Sequence, residues 1–129
     1  MGDRRTPPAR KQDNREVGIL GEDAAARTLA AGGYRLLERN FRCPAGEIDI
    51  IAEDSGVIAF VEVKTRSPRA YLSPASAVDE EKRRHIRSAS KYYLRGFRNP
   101  SPARYDIVSV LLDDAGSVTS VEVAKGAFE

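Results

Sequence analysis

The sequence has few of the side chains that form disulfides or bind soft metals. Its 129 residues include one cysteine, one histidine and no tryptophan. The single cysteine, Cys43, excludes an internal disulfide and argues against a cysteine-based zinc site within one chain. The lone histidine, His85, argues against a histidine-rich metal site, and we assign it no catalytic role. The chain should therefore bind either a hard metal ion through oxygen atoms or no metal.

Long apolar segments are also missing. No run approaches the roughly 20 apolar residues that a membrane-crossing helix requires, and residues 1–16 contain no apolar segment of the signal-peptide type. These absences predict a cytoplasmic protein that does not enter a membrane. With 41% hydrophobic residues in a chain of this length, we expect one core. Residues 1–15 are polar and basic, which predicts a flexible tail before a single domain at 16–129.

Hydrophobic periodicity divides the chain into two helices and five strands, in the order α-β-β-β-α-β-β. A short turn between the second and third strands predicts an antiparallel hairpin. The second helix can act as a crossover that brings the fourth strand parallel to the third, so the class is α/β with a mixed sheet. The expected helices cover 15–31 and 76–94, and the expected strands cover 34–41, 46–53, 57–65, 105–112 and 117–123.

The first helix carries two glycines, Gly18 and Gly21, each of which weakens it by about 1 kcal/mol relative to alanine. We therefore expect another element or a ligand to approach the helix closely there. Its broad apolar face is expected to comprise Leu20, Ala24, Ala25, Thr28 and Leu29.

The net charge of +2 conceals a strong asymmetry. Residues 64–104 contain eleven lysines and arginines against three acids, a net charge of +8 that leaves −6 for the rest of the chain. No acid occurs between Lys82 and Arg104. Such a basic block on an otherwise acidic protein indicates a phosphate-bearing partner, although a solvated helix face has the same composition.

The most informative segment is the third strand, residues 60–66, with the sequence Phe-Val-Glu-Val-Lys-Thr-Arg. Side chains alternate along a strand, so Glu62, Lys64 and Arg66 share one face. A hairpin that aligns Asp49 of the second strand with Glu62 would bring two carboxylates and a lysine together.

Two adjacent carboxylates repel each other and would destabilise a purely structural sheet. A divalent cation such as Mg²⁺ removes that cost and prefers oxygen ligands. A lysine beside the cation can hold a phosphate oxygen or help to deprotonate a water, and the set suits phosphodiester hydrolysis. Alternatively, Glu62 and Lys64 are ordinary exposed strand charges, but their apolar neighbours favour an inner strand. Glu22 either reaches this site from the first helix or remains a helix-surface glutamate.

The second helix supplies most of the candidate contacts to nucleic acid. Lys82 shares the apolar stripe of this helix and either contacts a phosphate or forms a salt bridge. Tyr92 and Tyr93 interleave the basic block, with Tyr93 expected in the core and base stacking left open for the pair. Asp106 is expected to pair with Arg39, Arg42 or another cation. The candidate phosphate contacts are Arg66, Lys82, Arg83, Arg84, Arg87 and Lys91.

With these residues in place, the chain resembles the YraN-type family of small bacterial proteins. That family is similar to the PD-(D/E)xK nucleases and, among them, to the archaeal Holliday-junction resolvases. The resemblance rests on Glu22, Gly-Glu-Ile-Asp at 46–49 and residues 60–66, and it covers about residues 16–128. Further matches lie at 39–42, Lys82, Ala89, 104–106 and 125–128.

The resemblance implies a restriction-endonuclease-like fold, in which helices flank a central mixed five-stranded sheet. It implies that Asp49 and Glu62 ligate Mg²⁺ or Mn²⁺, that Lys64 assists the attacking water, and that Glu22 completes the acidic cluster. In one departure, Ile48 stands where the superfamily has a proline before the first acid, a change that the resolvase branch tolerates. Some superfamily members bind without cleaving, so the fold alone does not establish activity.

Two functions follow as hypotheses. The first is a metal-dependent endonuclease that hydrolyses phosphodiester bonds in DNA, including branched DNA such as Holliday junctions. The second is a non-catalytic nucleic-acid-binding accessory protein of DNA repair or recombination with the same fold. The sequence does not distinguish DNA from RNA, and a homodimer is expected only by analogy with the resolvases.

Overall fold

The structure of the chain is a computed structural model that describes residues 14–68 and 79–129. Within these ranges, two helices and five strands follow the expected order. The predicted tail, up to residue 13, and much of the loop after the third strand lie outside the described residues. The elements are α1 (Asn14–Ala31), β1 (Arg35–Cys43), β2 (Gly46–Asp54), β3 (Val57–Arg66), α2 (Glu80–Leu94), β4 (Ala103–Leu112) and β5 (Val118–Phe128).

The five strands form one mixed sheet in the order β1-β2-β3-β4-β5. β1–β2, β2–β3 and β4–β5 are antiparallel pairs, and β3–β4 is parallel. The parallel pair requires a long connection between its strands, and α2 lies within that connection, as predicted. The expected α/β class and mixed sheet are therefore confirmed, and the architecture is consistent with a restriction-endonuclease-like fold.

The helices pack on opposite faces of the sheet and generate two apolar clusters. Alternate residues of β3 enter different clusters: Val61 packs with α1, and Phe60 packs with α2. Both side chains are fully buried, so β3 is the inner strand that its apolar residues predict. Neither helix of the described chain is long and apolar enough to span a bilayer.

Several element boundaries differ from the predictions because side chains at the ends find partners. α2 was expected from residue 76, but within the described range it begins at Glu80, where the Asp79 side chain accepts the Lys82 N–H at 2.9 Å. β5 continues to Phe128 rather than ending at residue 123, because the buried Phe128 ring stacks on Tyr105 at a centroid distance of 4.9 Å. α1 begins at Asn14, so the last residues assigned to the tail are helical.

Strict periodicity also placed two side chains on the wrong face. Leu20 was expected in the core but is exposed, whereas Val17 packs against the core beneath α1. Strict alternation along β2 would place Ile48 on the same face as Ile50, yet Ile48 packs in the α2 cluster while Ile50 lies in the α1 cluster. Alternation fails there because the pairing of β2 with β3 ends at Ile50–Val61. In β1, the other neighbour of β2, Asn40 has a left-handed φ of 54°.

Candidate active site

The candidate site lies where β2 and β3 separate. Asp49 is the first residue of β2 beyond the last pair, Ile50–Val61, and its Oδ2 accepts the Val63 N–H at 2.8 Å. The carboxylate thus takes the place of a main-chain acceptor in the adjoining strand. This bond holds Asp49 at the open end of the hairpin, where it lines clefts on both sides of the sheet.

Glu62 contacts Asp49 from β3, as the predicted alignment requires. Glu62 is only 5% exposed, forms a side-chain hydrogen bond with Asp49, and its Oε1 lies 2.8 Å from Lys82 Nζ. Burial, with the Asp49 charge second, raises the pKa of Glu62 to about 7, against the opposing effect of Lys82. Burial also raises the pKa of Asp49, although the Val63 N–H and Lys82 lower it. Burial and mutual repulsion thus both favour a protonated form of the acidic pair, Asp49 and Glu62.

An open cleft of about 530 Å³ gives access to the acidic pair from the α2 side. We call it the carboxylate cleft. Its walls are the β1–β2 turn (residues 42–47) and one face of α2 that includes Lys82 and His85. α2 approaches this turn so closely that a Cβ on Gly46 would lie 3.1 Å from the His85 carbonyl oxygen. The positive φ of Gly46, 149°, also favours glycine.

Glu22 approaches Asp49 from the opposite face. It lines a second cleft, of about 490 Å³, together with Asp49, Arg39 and Asn40. Glu22 Oε1 lies 3.1 Å from Arg39 Nη2, and the Asn40 side chain also hydrogen-bonds to Glu22. Burial raises the pKa of Glu22; Arg39 opposes this shift and the charge of Asp49 adds to it. Glu22 is therefore electrostatically coupled to Asp49, and it shares the charge of Arg39 with Asp23.

Gly21 allows α1 to bring Glu22 this close to the sheet. A Cβ at Gly21 would lie 1.7 Å from Thr65 Oγ1, a separation that no side chain can occupy. Gly18, one turn earlier, has no atom within 4 Å of the same position. The close approach predicted from the two glycines is thus confirmed at Gly21, where β3 is the element that packs against it.

The structure separates the two lysines of interest. Lys64 is half-buried, and burial, with Arg66 nearby, lowers its pKa. Within the described ranges, Lys64 forms no ion pair, whereas Lys82 contacts Glu62 directly. Of the two alternatives left open for Lys82, the structure shows the salt bridge. Burial tends to lower the pKa of Lys82, but the bond to Glu62 raises it overall.

The oxygen donors of the acidic pair suit a hard divalent cation. Mg²⁺ is commonly held by one or two carboxylates, with water and phosphate completing its shell. A dication would offset the repulsion between the two carboxylates. As the side chains stand, however, no group of three or more acidic, histidine or cysteine residues within 14–68 and 79–129 is arranged to hold a metal. The chemistry of the pair fits the ion, and Glu22 lies outside any such group.

The predicted phosphate contacts fall into two sets. Arg83 places its guanidinium 5.4 Å from the centroid of the Phe128 ring, and Arg87 binds Glu80 and the carbonyl of Glu129. These two side chains therefore support the packing around the end of β5. Arg84 and Lys91 are exposed on α2 and form no ion pair with any residue that the structure describes. Arg66 is half-buried at the end of β3 beside Lys64.

One feature of the site was not predicted. His85 lines the carboxylate cleft, and its spacing of three residues from Lys82 on one helix is the signal that could have indicated this. Asp106 is fully buried and pairs with a cation, as expected; the cation is Arg104, at 2.9 Å between Oδ1 and Nε, and neither Arg39 nor Arg42.

The fold and the site together define an α/β protein with a restriction-endonuclease-like architecture and an acidic pair at the open end of its central hairpin. The chain belongs to UPF0102, an uncharacterised protein family whose profile it matches over residues 21–110. The predicted family is thereby confirmed.

Bacterial relatives are similar to this chain over most of their length. A UPF0102 protein of Moorella thermoacetica is 50% identical over 116 residues, covering 88% of this chain and 96% of the relative. A UPF0102 protein of Pelobacter propionicus is 45% identical over 122 residues, covering 92% and 86%. A third, from Symbiobacterium thermophilum, is 51% identical over 98 residues, covering 75% and 83%.

Proposed function

We propose that this protein is a metal-dependent nuclease that hydrolyses phosphodiester bonds in DNA, with branched or otherwise structured DNA such as Holliday junctions as its substrate. One observation carries the proposal: Asp49 and Glu62 are in contact at the open end of the β2–β3 hairpin, beside a cleft that solvent can enter. A buried carboxyl pair destabilises the folded state, because burial disfavours the charged form of each carboxyl and the two negative charges repel each other. A binding function explains why such a pair is present.

The acidic pair would hold a divalent cation, Mg²⁺ or Mn²⁺, which when bound would supply positive charge beside the scissile phosphate and a water of lowered pKa. The Val63 N–H keeps Asp49 oriented whether or not the pair is protonated. Glu22 contributes negative charge from the α1 side, and Arg39 limits how much of that charge reaches Asp49.

The cations around the site have different proposed roles. Lys64, on the same face of β3 as Glu62, positions the attacking water, and its positive charge favours the ionised form of that water. Lys82 leaves Glu62 when a substrate enters and contacts a phosphate oxygen, since its ammonium group is half exposed on the cleft wall. Arg66, Arg84 and Lys91 contact the phosphate backbone without reading sequence.

The decisive experiment is a cleavage assay on labelled four-way junction, flap, duplex and single-stranded DNA, with Mg²⁺, Mn²⁺ or EDTA. We expect metal-dependent cutting that Asp49→Asn and Lys64→Ala each reduce at least ~10³-fold, about 4 kcal/mol of transition-state stabilisation. The matched control is Glu53→Gln. Glu53 lies on β2, as Asp49 does, and its surface carboxylate pairs with Arg35. Full cleavage by the Asp49→Asn protein would eliminate the site assignment.

A second candidate function is supported by the Lys82–Glu62 ion pair. A non-catalytic, nucleic-acid-binding accessory protein needs no metal at this site. Such a protein would retain a lysine that compensates the charge of Glu62, as Lys82 does here. This alternative predicts salt-sensitive DNA binding that is indifferent to Mg²⁺ and no cutting of any substrate in the panel. The same assay, read together with binding at two salt concentrations, decides between the two functions.

A further inference from the structure

A third cleft lies between β1 and the C-terminal part of α2. Its volume is about 450 Å³, and Phe41, Tyr92, Tyr93, Arg95 and Gly96 line it. We call it the aromatic cleft. Tyr92 is 41% exposed, and the Arg95 guanidinium lies 5.3 Å from the centroid of its ring. An aromatic face and a cation therefore border the same opening.

The aromatic rings of this cleft have distinct structural roles. Tyr93 packs edge-on against Phe41 and Phe60, at centroid distances of 5.3 and 5.9 Å, and contacts Phe97 at 5.5 Å. These contacts fix Tyr93 and Phe41 as a rigid wall of the apolar cluster beneath α2. Tyr92 belongs to neither apolar cluster. Its ring is thus available to pack against another molecule.

The charge around the cleft selects the class of that molecule. Lys91, Arg95 and Arg98 are exposed in this part of the chain, and no acid occurs between Lys82 and Arg104. Glu38 of β1 is an opposing charge that adds to the rise in the pKa of Tyr93 that burial causes. A ligand with a flat aromatic face and several negative charges complements this surface. A nucleotide within a nucleic-acid strand has both properties.

The aromatic cleft is adjacent to the carboxylate cleft. Phe41 lines the former, and the next two residues of β1, Arg42 and Cys43, line the latter. On α2, His85 and Tyr92 are seven residues apart, which corresponds to about 10 Å along the helix axis. One strand of a nucleic acid can therefore occupy both clefts within a few nucleotides.

We propose that the aromatic cleft receives an unpaired base of the DNA substrate, which stacks on Tyr92 while Arg95 contacts the adjoining phosphate. A base inside an intact duplex has both faces covered by its neighbours and cannot stack in this way. The substrate is then DNA with unpaired nucleotides close to the bond that is cut. This inference rests on the proposed function and specifies its substrate class.

The test is a binding experiment in EDTA, which does not depend on cleavage. Two labelled probes are used, and binding is followed by anisotropy. The first is a DNA duplex with a three-nucleotide single-stranded gap that contains 2-aminopurine. The second is an intact duplex of the same length and sequence. We expect Tyr92→Ala to weaken binding to the gapped DNA about tenfold, or about 1.4 kcal/mol, and to leave the intact duplex unchanged. Tyr92→Phe should bind as the wild type does, because it keeps the aromatic face.

Two controls make the result specific. Val118→Ala removes an equally exposed apolar side chain from β5, at the other edge of the sheet, and should change nothing. Lys91→Ala should weaken binding to both DNAs equally, as loss of a phosphate contact does. If Tyr92→Ala binds gapped DNA as well as the wild type, or weakens both DNAs alike, the inference is wrong while the nuclease proposal stands. If the wild type does not bind the gapped DNA, the inference is also wrong, and the cleavage assay on the full substrate panel decides the nuclease proposal separately.

Discussion

Two sites in this sheet bury carboxylates, the Asp106 group and the acidic pair, and they compensate the buried negative charge differently. Asp106 of β4 is fully buried and accepts four hydrogen bonds: two from Arg104, one from Tyr34 and one from the Gly126 N–H. Every donor belongs to the fold, and Asp106 lines none of the three clefts described above. The Asp106 group thus has the features of a structural ion pair, complete within the chain.

The acidic pair, by contrast, is incompletely compensated. One half-exposed lysine and one main-chain N–H serve two carboxylates, and the pKa of Glu62 rises to about 7, chiefly because of burial. The pair also faces a cleft large enough for a ligand. The comparison shows that burial alone does not mark a functional carboxylate; burial with unsatisfied charge beside an opening does.

The largest expected effect tests the structural member of this comparison. Asp106→Asn should lower the free energy of unfolding by about 3–5 kcal/mol, because the new amide cannot accept all four hydrogen bonds and Arg104 keeps only Asp54 as an ion-pair partner among the described residues. Urea denaturation measures the loss. Asp23→Asn, which removes an exposed carboxylate that pairs with Arg39, is the control and should cost less than 1 kcal/mol. A similar small loss for Asp106→Asn would remove the distinction between the two groups.

Removing a carboxylate from the acidic pair should have the opposite effect on the free energy of unfolding. Glu62→Gln should raise the free energy of unfolding by about 1–3 kcal/mol at pH 8, because the folded protein no longer buries an ionised carboxylate. The pKa of Glu62 is raised from 4.5 to about 7 on folding, so the folded state binds more protons between these values. Wild-type stability therefore falls, relative to the variant, as the pH rises from 4.5 through 7, and the two should converge near pH 4.

The pH titration of urea midpoints for both proteins provides the measurement. A difference that stays constant from pH 4 to pH 8 would show that Glu62 is not protonated on folding. In that case the acidic pair would resemble the Asp106 group, and the electrostatic case for a binding function would be lost.

The packing that brings Glu22 to the pair can be tested with matched glycine variants. Gly21→Ala should destabilise the protein by about 1–3 kcal/mol, because the new Cβ overlaps Thr65 and forces α1 away from β3. Gly18→Ala, in the same helix but with open space around the new methyl group, should stabilise it by up to about 1 kcal/mol. Equal effects of the two substitutions would contradict the close contact at Gly21.

Local patterns predicted much of this site. The apolar residues around Glu62 predicted an inner strand, and the short turn after β2 predicted a hairpin that places Asp49 beside it. The exact orientation of Asp49 was beyond a local pattern, because it depends on where strand pairing ends and on the Val63 N–H. Strict alternation consequently placed Ile48 on the wrong face.

Partners that are distant in the chain were also beyond such patterns. Tyr34 donates to Asp106 across 72 residues, and nothing near either residue indicates the other. His85 reaches the carboxylate cleft because α2 docks against Gly46, a contact between elements that periodicity does not describe. The family resemblance indicated the acidic residues, but it did not indicate that Lys82, rather than Lys64, contacts Glu62.

The smallest expected loss of stability follows from removing the cation of the acidic pair, Lys82, and it is compared with the loss from removing Arg104 of the Asp106 group. Lys82→Met should lower the free energy of unfolding by less than about 1 kcal/mol, because the lysine is half exposed and the raised pKa of Glu62, about 7, favours its neutral form at pH 6. Arg104→Met should cost several-fold more, because Asp106 would lose two of its four hydrogen bonds without access to water. Parallel urea denaturation at pH 6 measures both. A Lys82→Met loss as large as that of Arg104→Met would mean that Lys82 is an integral structural partner of Glu62, and Lys82 could not then leave Glu62 to contact a substrate phosphate.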